Sequence, residues 1–259
     1  MEKIFLKTSD GIRLALNHYK TNHNEVVIVV HGWFMTKDSK AFLNFAEDMS
    51  KYYDVITFDC RGHGKSSGLY TFTKKETIDL KAVMNYAKKQ YEKINLIGFS
   101  LGGAIVLIHS ALYNEANKII AVSAPSDFRK IENQMWKKDA WLPTLKKCEP
   151  KRWCSIRPSF IYLMMEPKIK PIDIIKHVKA PTLFVAGKKD PTVHPWHTAK
   201  LYKNAVCEKK FELLDGIHAE DLYLQNPEEF IAMCVNWLKQ PSHNSCNQTS
   251  EDTSSPSHQ

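Results

Sequence analysis

The pentapeptide Gly98-Phe-Ser-Leu-Gly102 constrains this chain more than any other stretch. It follows a strand-like run, Ile94 to Gly98, and opens a helical pattern, Leu101 to Tyr113. A strand that passes directly into a helix must bend sharply, which strains the central serine and lifts its Oγ above the sheet edge. Residues two before and two after would collide unless small, and both are glycine, with Gly103 adding clearance. An ordinary glycine-rich turn has no need of a serine here, so Ser100 reads as a nucleophile.

The surrounding elements alternate. Ile4 to Thr8 and Ile12 to Tyr19 read as two short strands joined at Ser9-Asp10-Gly11, a hairpin signal. Val26 to Val30 is continuously apolar and β-branched, as a strand covered on both faces should be. Ala41 to Met49 is a helix with Phe42, Phe45, Ala46 and Met49 on one face, Asp54 to Asp59 the next strand, and Arg61 to Gly68 a glycine-rich loop. Thr77 to Gln90 is helical, with Ile78, Val83, Tyr86 and Ala87 as its apolar stripe. Lys118 to Ser123, Thr182 to Ala186 and Lys210 to Leu214 are further strands, and Pro227 to Leu238 is a closing helix with Asn226 as N-cap. Such alternation builds βαβ units and a mostly parallel, doubly wound sheet.

A nucleophilic serine needs an imidazole base held by a carboxylate. Asp190, in Gly187-Lys-Lys-Asp-Pro191, directly follows one strand, and His218, in Asp215-Gly-Ile-His218, directly follows another. Both are thereby placed at the carboxyl edge of the sheet, where open α/β sheets bind ligands and where Ser100 also lies. Asp215 is the rival acid, ranked second because it would crowd one loop with His218. His194 is the rival base, but it and His197 fall where a helix should start and read as surface or pocket-rim residues. Attack on a carbonyl also requires N–H donors for the oxyanion. Leu101, the amide after the nucleophile, supplies one, and the loop His31-Gly-Trp-Phe-Met35 the other, with Trp33 first and Phe34 as fallback. His31 reads as a loop brace and not a base.

Taken together, His31-Gly32-Trp33, Asp59-Cys-Arg-Gly-His-Gly-Lys-Ser66, Gly98-Phe-Ser-Leu-Gly-Gly103, Gly187-Lys-Lys-Asp190 and the late His218 resemble the α/β-hydrolase superfamily. Within it they look most like serine esterases of the lysophospholipase or monoacylglycerol-lipase kind. The likeness spans about residues 3 to 239. It implies an α/β-hydrolase fold: a mostly parallel eight-stranded sheet flanked by helices, no cofactor, and a small helical cap inserted after the sixth strand. Relatives of this fold that displace halide or open epoxides use an aspartate nucleophile; a serine at position 100 implies acyl chemistry instead.

Residues 125–170 fall where the cap belongs, within a hydrolase domain of 1–239. They carry Trp136, Trp141 and Phe160, which with Trp33 and Phe34 are expected to line an acyl pocket; packing of the cap on the sheet would use the same aromatics equally well. From residue 240 to 259 the chain turns to Ser, Asn, Thr, Pro and His, a tail expected to be disordered.

Composition narrows the rest. With 43% hydrophobic and 25% charged residues the chain reads as globular, and its apolar runs are strand-length, too short for a membrane span. The first ten residues lack the apolar core of a secretion signal, so a cytoplasmic location is expected. The formal charge of +8 is spread as scattered lysines, without the arginine-rich or aromatic-interleaved patch of a nucleic-acid binder. Six cysteines form no Cys-x-x-Cys pair and no metal-ligand spacing, and no metal is expected. The expected partner is a small-molecule acyl ester, cleaved through an acyl-enzyme. A thioesterase, amidase, peptidase or acyltransferase would use the same residues, and a non-catalytic binding module could retain the pocket.

Overall fold

A computed structural model describes residues 1–131, 156–159, 161 and 169–241. Trp136, Trp141 and Phe160, most of the expected cap, and the tail after residue 241 lie outside the described residues.

Among the described residues eight strands form one sheet: β1 (Glu2–Lys7), β2 (Arg13–Tyr19), β3 (Glu25–Val30), β4 (Asp54–Phe58), β5 (Lys93–Phe99), β6 (Ile119–Val122), β7 (Thr182–Gly187) and β8 (Lys209–Leu214). Their order is β1-β2-β4-β3-β5-β6-β7-β8. Only β2 runs against the others, paired antiparallel to β1 and β4. Among the described residues six helices of six residues or more flank the sheet: α1 (Lys40–Met49), α2 (Glu76–Ala87), α3 (Leu101–Tyr113), α4 (Pro195–Asn204), α5 (Glu220–Gln225) and α6 (Pro227–Lys239).

The apolar run of β3 explains the layering. Val27 and Val29 face a core built with Phe42, Phe45 and Met49 of α1 and with Phe230 and Trp237 of α6. Val26, Ile28 and Val30 face the opposite core, with Leu80 and Val83 of α2, Ile105 of α3 and Leu201 of α4. Side chains alternate along a strand, so a strand covered on both faces must be apolar at every position. Each such residue contributes about 1.5–3 kcal/mol relative to exposure. The cap of α6 is as expected: Asn226 accepts from the Glu229 N–H, with Pro227 in the first turn.

One stripe differs from expectation. On α2, Leu80 and Met84 are buried where Ile78 and Tyr86 are only half-buried, and Glu76 and Asp79 are buried with them. The cause is polar. Asp79 receives the Arg61 guanidinium at 2.7 Å and the Arg61 N–H at 2.8 Å, while Glu76 accepts from the Thr71 hydroxyl and N–H. Arg61 is 2% exposed and also donates to Asp10 in the β1–β2 turn. A buried guanidinium needs its fork satisfied by carboxylates, so α2 turns two acids inward.

The chain leaves β3 toward β4 on one side and returns as β5 on the other. The strand order reverses there, which opens a crevice at the carboxyl ends of β3 and β5. Ser100 follows β5 directly, and residues 31–35 follow β3.

Candidate active site

Ser100 occupies the bend between β5 and α3 with φ 52° and ψ −117°, a conformation few non-glycine residues adopt. The flanking glycines are needed. A Cβ on Gly98 would sit 2.3 Å from the Gly102 carbonyl oxygen, and one on Gly102 would sit 2.2 Å from that of Val30. The Ser100 N–H donates to Val122 at the end of β6 (2.7 Å), which ties the bend to the neighbouring strand.

The structure brings the three expected side chains together. His218 Nε2 lies 2.9 Å from Ser100 Oγ, and its Nδ1 lies 2.7 Å from Asp190 Oδ2. Asp190 is 3% exposed, and its Oδ1 accepts from the Thr192 and Val193 N–H groups at 2.9 Å each. The carboxylate can therefore only accept from Nδ1–H, which leaves the Nε2 lone pair facing the hydroxyl. Burial pulls the His218 imidazole toward its neutral form, but the charge and hydrogen bond of Asp190, with Glu220 and Asp221 beyond, leave its pKa above 6.5. The rival residues stand apart. The Asp215 side chain is 68% exposed and pairs with Lys189 at 3.2 Å. His194 is exposed ahead of α4. His197, expected at the surface or pocket rim, is fully buried, because Ser126 donates to its Nδ1 (3.2 Å from N) and its Nε2 meets the Lys130 carbonyl (3.1 Å).

On the other flank, a Cβ on Gly32 would meet Ser100 Cβ at 3.2 Å, so the loop after β3 lies against the nucleophile. Trp33 is the next residue, and Phe34 after it has φ 63°. Leu101 opens α3, so its N–H has no helical acceptor. Both expected donors thus border Ser100. His31 braces this loop as expected: Nδ1–H donates to the Gly32 carbonyl (2.7 Å) and Nε2 accepts the Cys60 N–H (3.1 Å). Burial pushes its pKa down to about 4, which keeps it neutral.

Three contributors were not legible as site residues. Ser123, buried after β6, accepts the Ala219 N–H at 3.1 Å and so pins the residue following His218. Asp59 accepts from the N–H groups of Lys37 and Lys65 (2.8 and 2.9 Å), which ties the loop after β3 to the loop after β4. Lys37 is itself 3% exposed, its ammonium 2.6 Å from Asp38. Only Asp59 carried a signal, as an acid at the end of a strand that opens the Asp59–Ser66 motif.

Among the described residues no three His, Cys, Asp or Glu are grouped to hold a metal ion. None of the described helices is long and apolar enough to cross a membrane. Cys60, Cys207 and Cys234 are free thiols.

A strained serine after β5, an acid after β7 and an oriented imidazole after β8 meet at one edge of the sheet. A family model described as alpha/beta hydrolase fold matches residues 25–145. The chain has the α/β-hydrolase fold. It is 28% identical over 243 residues to the AB hydrolase superfamily protein YisY of Bacillus subtilis (strain 168), covering 80% of this chain and 88% of that one. It is 30% identical over 119 residues to a putative 2-succinyl-6-hydroxy-2,4-cyclohexadiene-1-carboxylate synthase of the same organism, a match spanning only 44% of this chain and 42% of that relative. The esterase Pf2001 of Pyrococcus furiosus superposes with a TM-score of 0.75 at 24% identity, over 92% of this chain and 91% of its own.

Proposed function

We propose that the chain is a serine hydrolase that cleaves carboxylic esters through an acyl-enzyme. The observation that carries this reading is the continuous hydrogen-bonded line Ser100–His218–Asp190. Ser100 Oγ attacks the acyl carbonyl while His218 Nε2 accepts the hydroxyl proton. Asp190 holds the imidazole in the required tautomer and stabilises the imidazolium that forms. The oxyanion is held by the backbone N–H groups of Leu101 and Trp33, each such donor contributing about 2.7–4 kcal/mol to the transition state. His218 then returns its proton to the leaving alcohol, and water, activated by the same nitrogen, releases the acid. No step calls for a cofactor or metal.

Support for an ester in particular comes from the solved relative, which is an esterase by name. The partner in this reading is a small to medium acyl ester, met in the cytoplasm. A panel of p-nitrophenyl esters beside acyl-CoA thioesters and aminoacyl amides tests it. Higher kcat/KM on the esters is expected. A strong preference for thioesters or amides, or transfer to an added acceptor alcohol in place of hydrolysis, overturns the ester assignment.

A further inference from the structure

The strand order ends at β8, so among the described residues the outer edge of β8 pairs with no strand. Its backbone is laid out for one. The Thr182 N–H donates to the Glu208 carbonyl and the Lys188 N–H to the Leu214 carbonyl, both at 2.9 Å. Alternate residues turn inward in the parallel ladder with β7. Residues 208, 210, 212 and 214 therefore face β7, while residues 209, 211 and 213 aim N–H and C=O outward. Such an edge is a template for another strand. Leu213 is 43% exposed along it.

Side chains alternate as well. Lys210, Glu212 and Leu214 share the face covered by α5 and α6. A groove there is lined by Leu214, Phe230 and Met233, and its charged lining residues, Glu212, Asp215 and Glu229, are all acidic. Phe211 packs against the opposite core. Lys210 pairs with Glu212 of its own strand at 2.8 Å, and their side chains are 56% and 31% exposed. Two lysines at the head of an edge, Lys209 and Lys210, repel most incoming strands. Glu212, two residues further on, answers them when the incoming strand has the same sequence and runs the other way.

We infer that β8 is a self-association edge, joining two copies of this chain by antiparallel pairing centred on Phe211 into one continuous sheet. Symmetry and charge set the register. A two-fold axis normal to the sheet keeps each side chain on its own face, so the pairing must be centred on a residue. Centring on Lys210 or Glu212 sets that charge against its own copy, and centring on Lys209 or Leu213 overlaps little of the strand. Centring on Phe211 sets Lys210 opposite the partner's Glu212, and Glu212 opposite the partner's Lys210. Residue 209 then meets residue 213 of the other copy, so the outward N–H and C=O groups of residues 209, 211 and 213 satisfy one another. The stem of Lys209 covers the exposed Leu213 across the junction. Because the paired strands run in opposite directions, the two copies of Ser100 open at opposite ends of the joined sheet. The inference is independent of the ester chemistry.

Sedimentation equilibrium on the native full chain, over a series of concentrations, should give the mass of two chains. Glu212→Lys sets lysine against lysine at both symmetry-related positions and should raise the dimer dissociation constant by about tenfold or more. The double variant Lys210→Glu/Glu212→Lys keeps both cross-strand pairs with their signs exchanged and should restore the native value. Leu213→Pro deletes an outward N–H and none that faces β7, so it should give a folded single chain, with circular dichroism checking the fold. A native protein that stays a single chain overturns the proposal. So does a mass that climbs beyond two chains, which pairing of β1 with β8 would give. A dimer indifferent to Glu212→Lys and Leu213→Pro, or a double variant as weak as Glu212→Lys, assigns the contact to another surface and equally overturns it.

Discussion

Gly187 and Ile217 touch so closely that a Cβ on Gly187 would fall 1.9 Å from the Ile217 carbonyl oxygen. These residues begin and end the two loops that present Asp190 and His218. The contact continues as Lys188 and Lys189 donate to the carbonyls of Leu214 and Gly216, both at 2.9 Å. The hydrogen bond between acid and imidazole is thus set by backbone apposition before either side chain is considered.

Substituting Gly187→Ala should push the loops apart. Overpacking of this kind costs about 1–3 kcal/mol of stability. A displacement of the imidazole approaching 1 Å costs on the order of a hundredfold in rate. Thermal melting and ester turnover should show activity falling further than the fraction folded explains.

His218 must be neutral to take the Ser100 proton. Its pKa stands above 6.5 because Asp190 outweighs the effect of burial, so kcat/KM should rise with pH through a midpoint above that of a free imidazole. Asp190→Asn removes the largest raising influence and leaves burial opposed only by Glu220 and Asp221, so the midpoint of the residual activity should move to lower pH while the rate falls by about 10⁴. The same raised pKa contributes folding stability at low pH that fades as pH climbs through the folded value. A pH–rate profile of native and variant protein checks the direction of both shifts.

Ser100→Ala and His218→Ala should each lower turnover by several orders of magnitude, and the double variant should be little worse than either alone. Side chains that act as one unit give this non-additivity. Multiplicative losses in the double variant would mean that the two act independently.

Arg61→Met should be severe for stability and nearly silent in mechanism. It strands Asp79 in the core without its charge partner, a defect worth about 3–5 kcal/mol. It should also change acid unfolding. The hydrogen bonds of Arg61 hold Asp10 down to about 2, so Asp10 adds stability above its unfolded value of 3.8 that is lost as pH falls toward 2. Urea unfolding at neutral and acidic pH should show that this part of the pH dependence is absent from Arg61→Met.

How much of this was legible in the sequence depends on the kind of signal. The strands showed plainly where burial on both faces forced continuous apolar runs, as in β3, and α3 matches its expected bounds because glycines and an apolar stripe mark it. Ser100, Asp190 and His218 were recoverable because each follows a strand end in the order such a crevice uses. The buried charges were not. Arg61, Lys37 and Asp79 look like surface residues in a one-dimensional pattern, and only the fold brings the partners that make their burial tolerable. For the same reason the apolar pattern places Val83 and Ala87 of α2 correctly but not Ile78 and Tyr86, and it gives no sign that Ser126 and the Lys130 carbonyl enclose His197. Ser123 had no signal at all, since its role is one hydrogen bond to a loop nearly a hundred residues away.

The central claim is that Ser100 is an activated nucleophile, and a fluorophosphonate probe reads this most directly. Native protein treated with the probe should carry a single phosphonyl adduct, located by peptide mass spectrometry on Ser100, and His218→Ala should label far more slowly. A folded native protein that stays unlabelled, or that carries its adduct on another residue, would contradict the account.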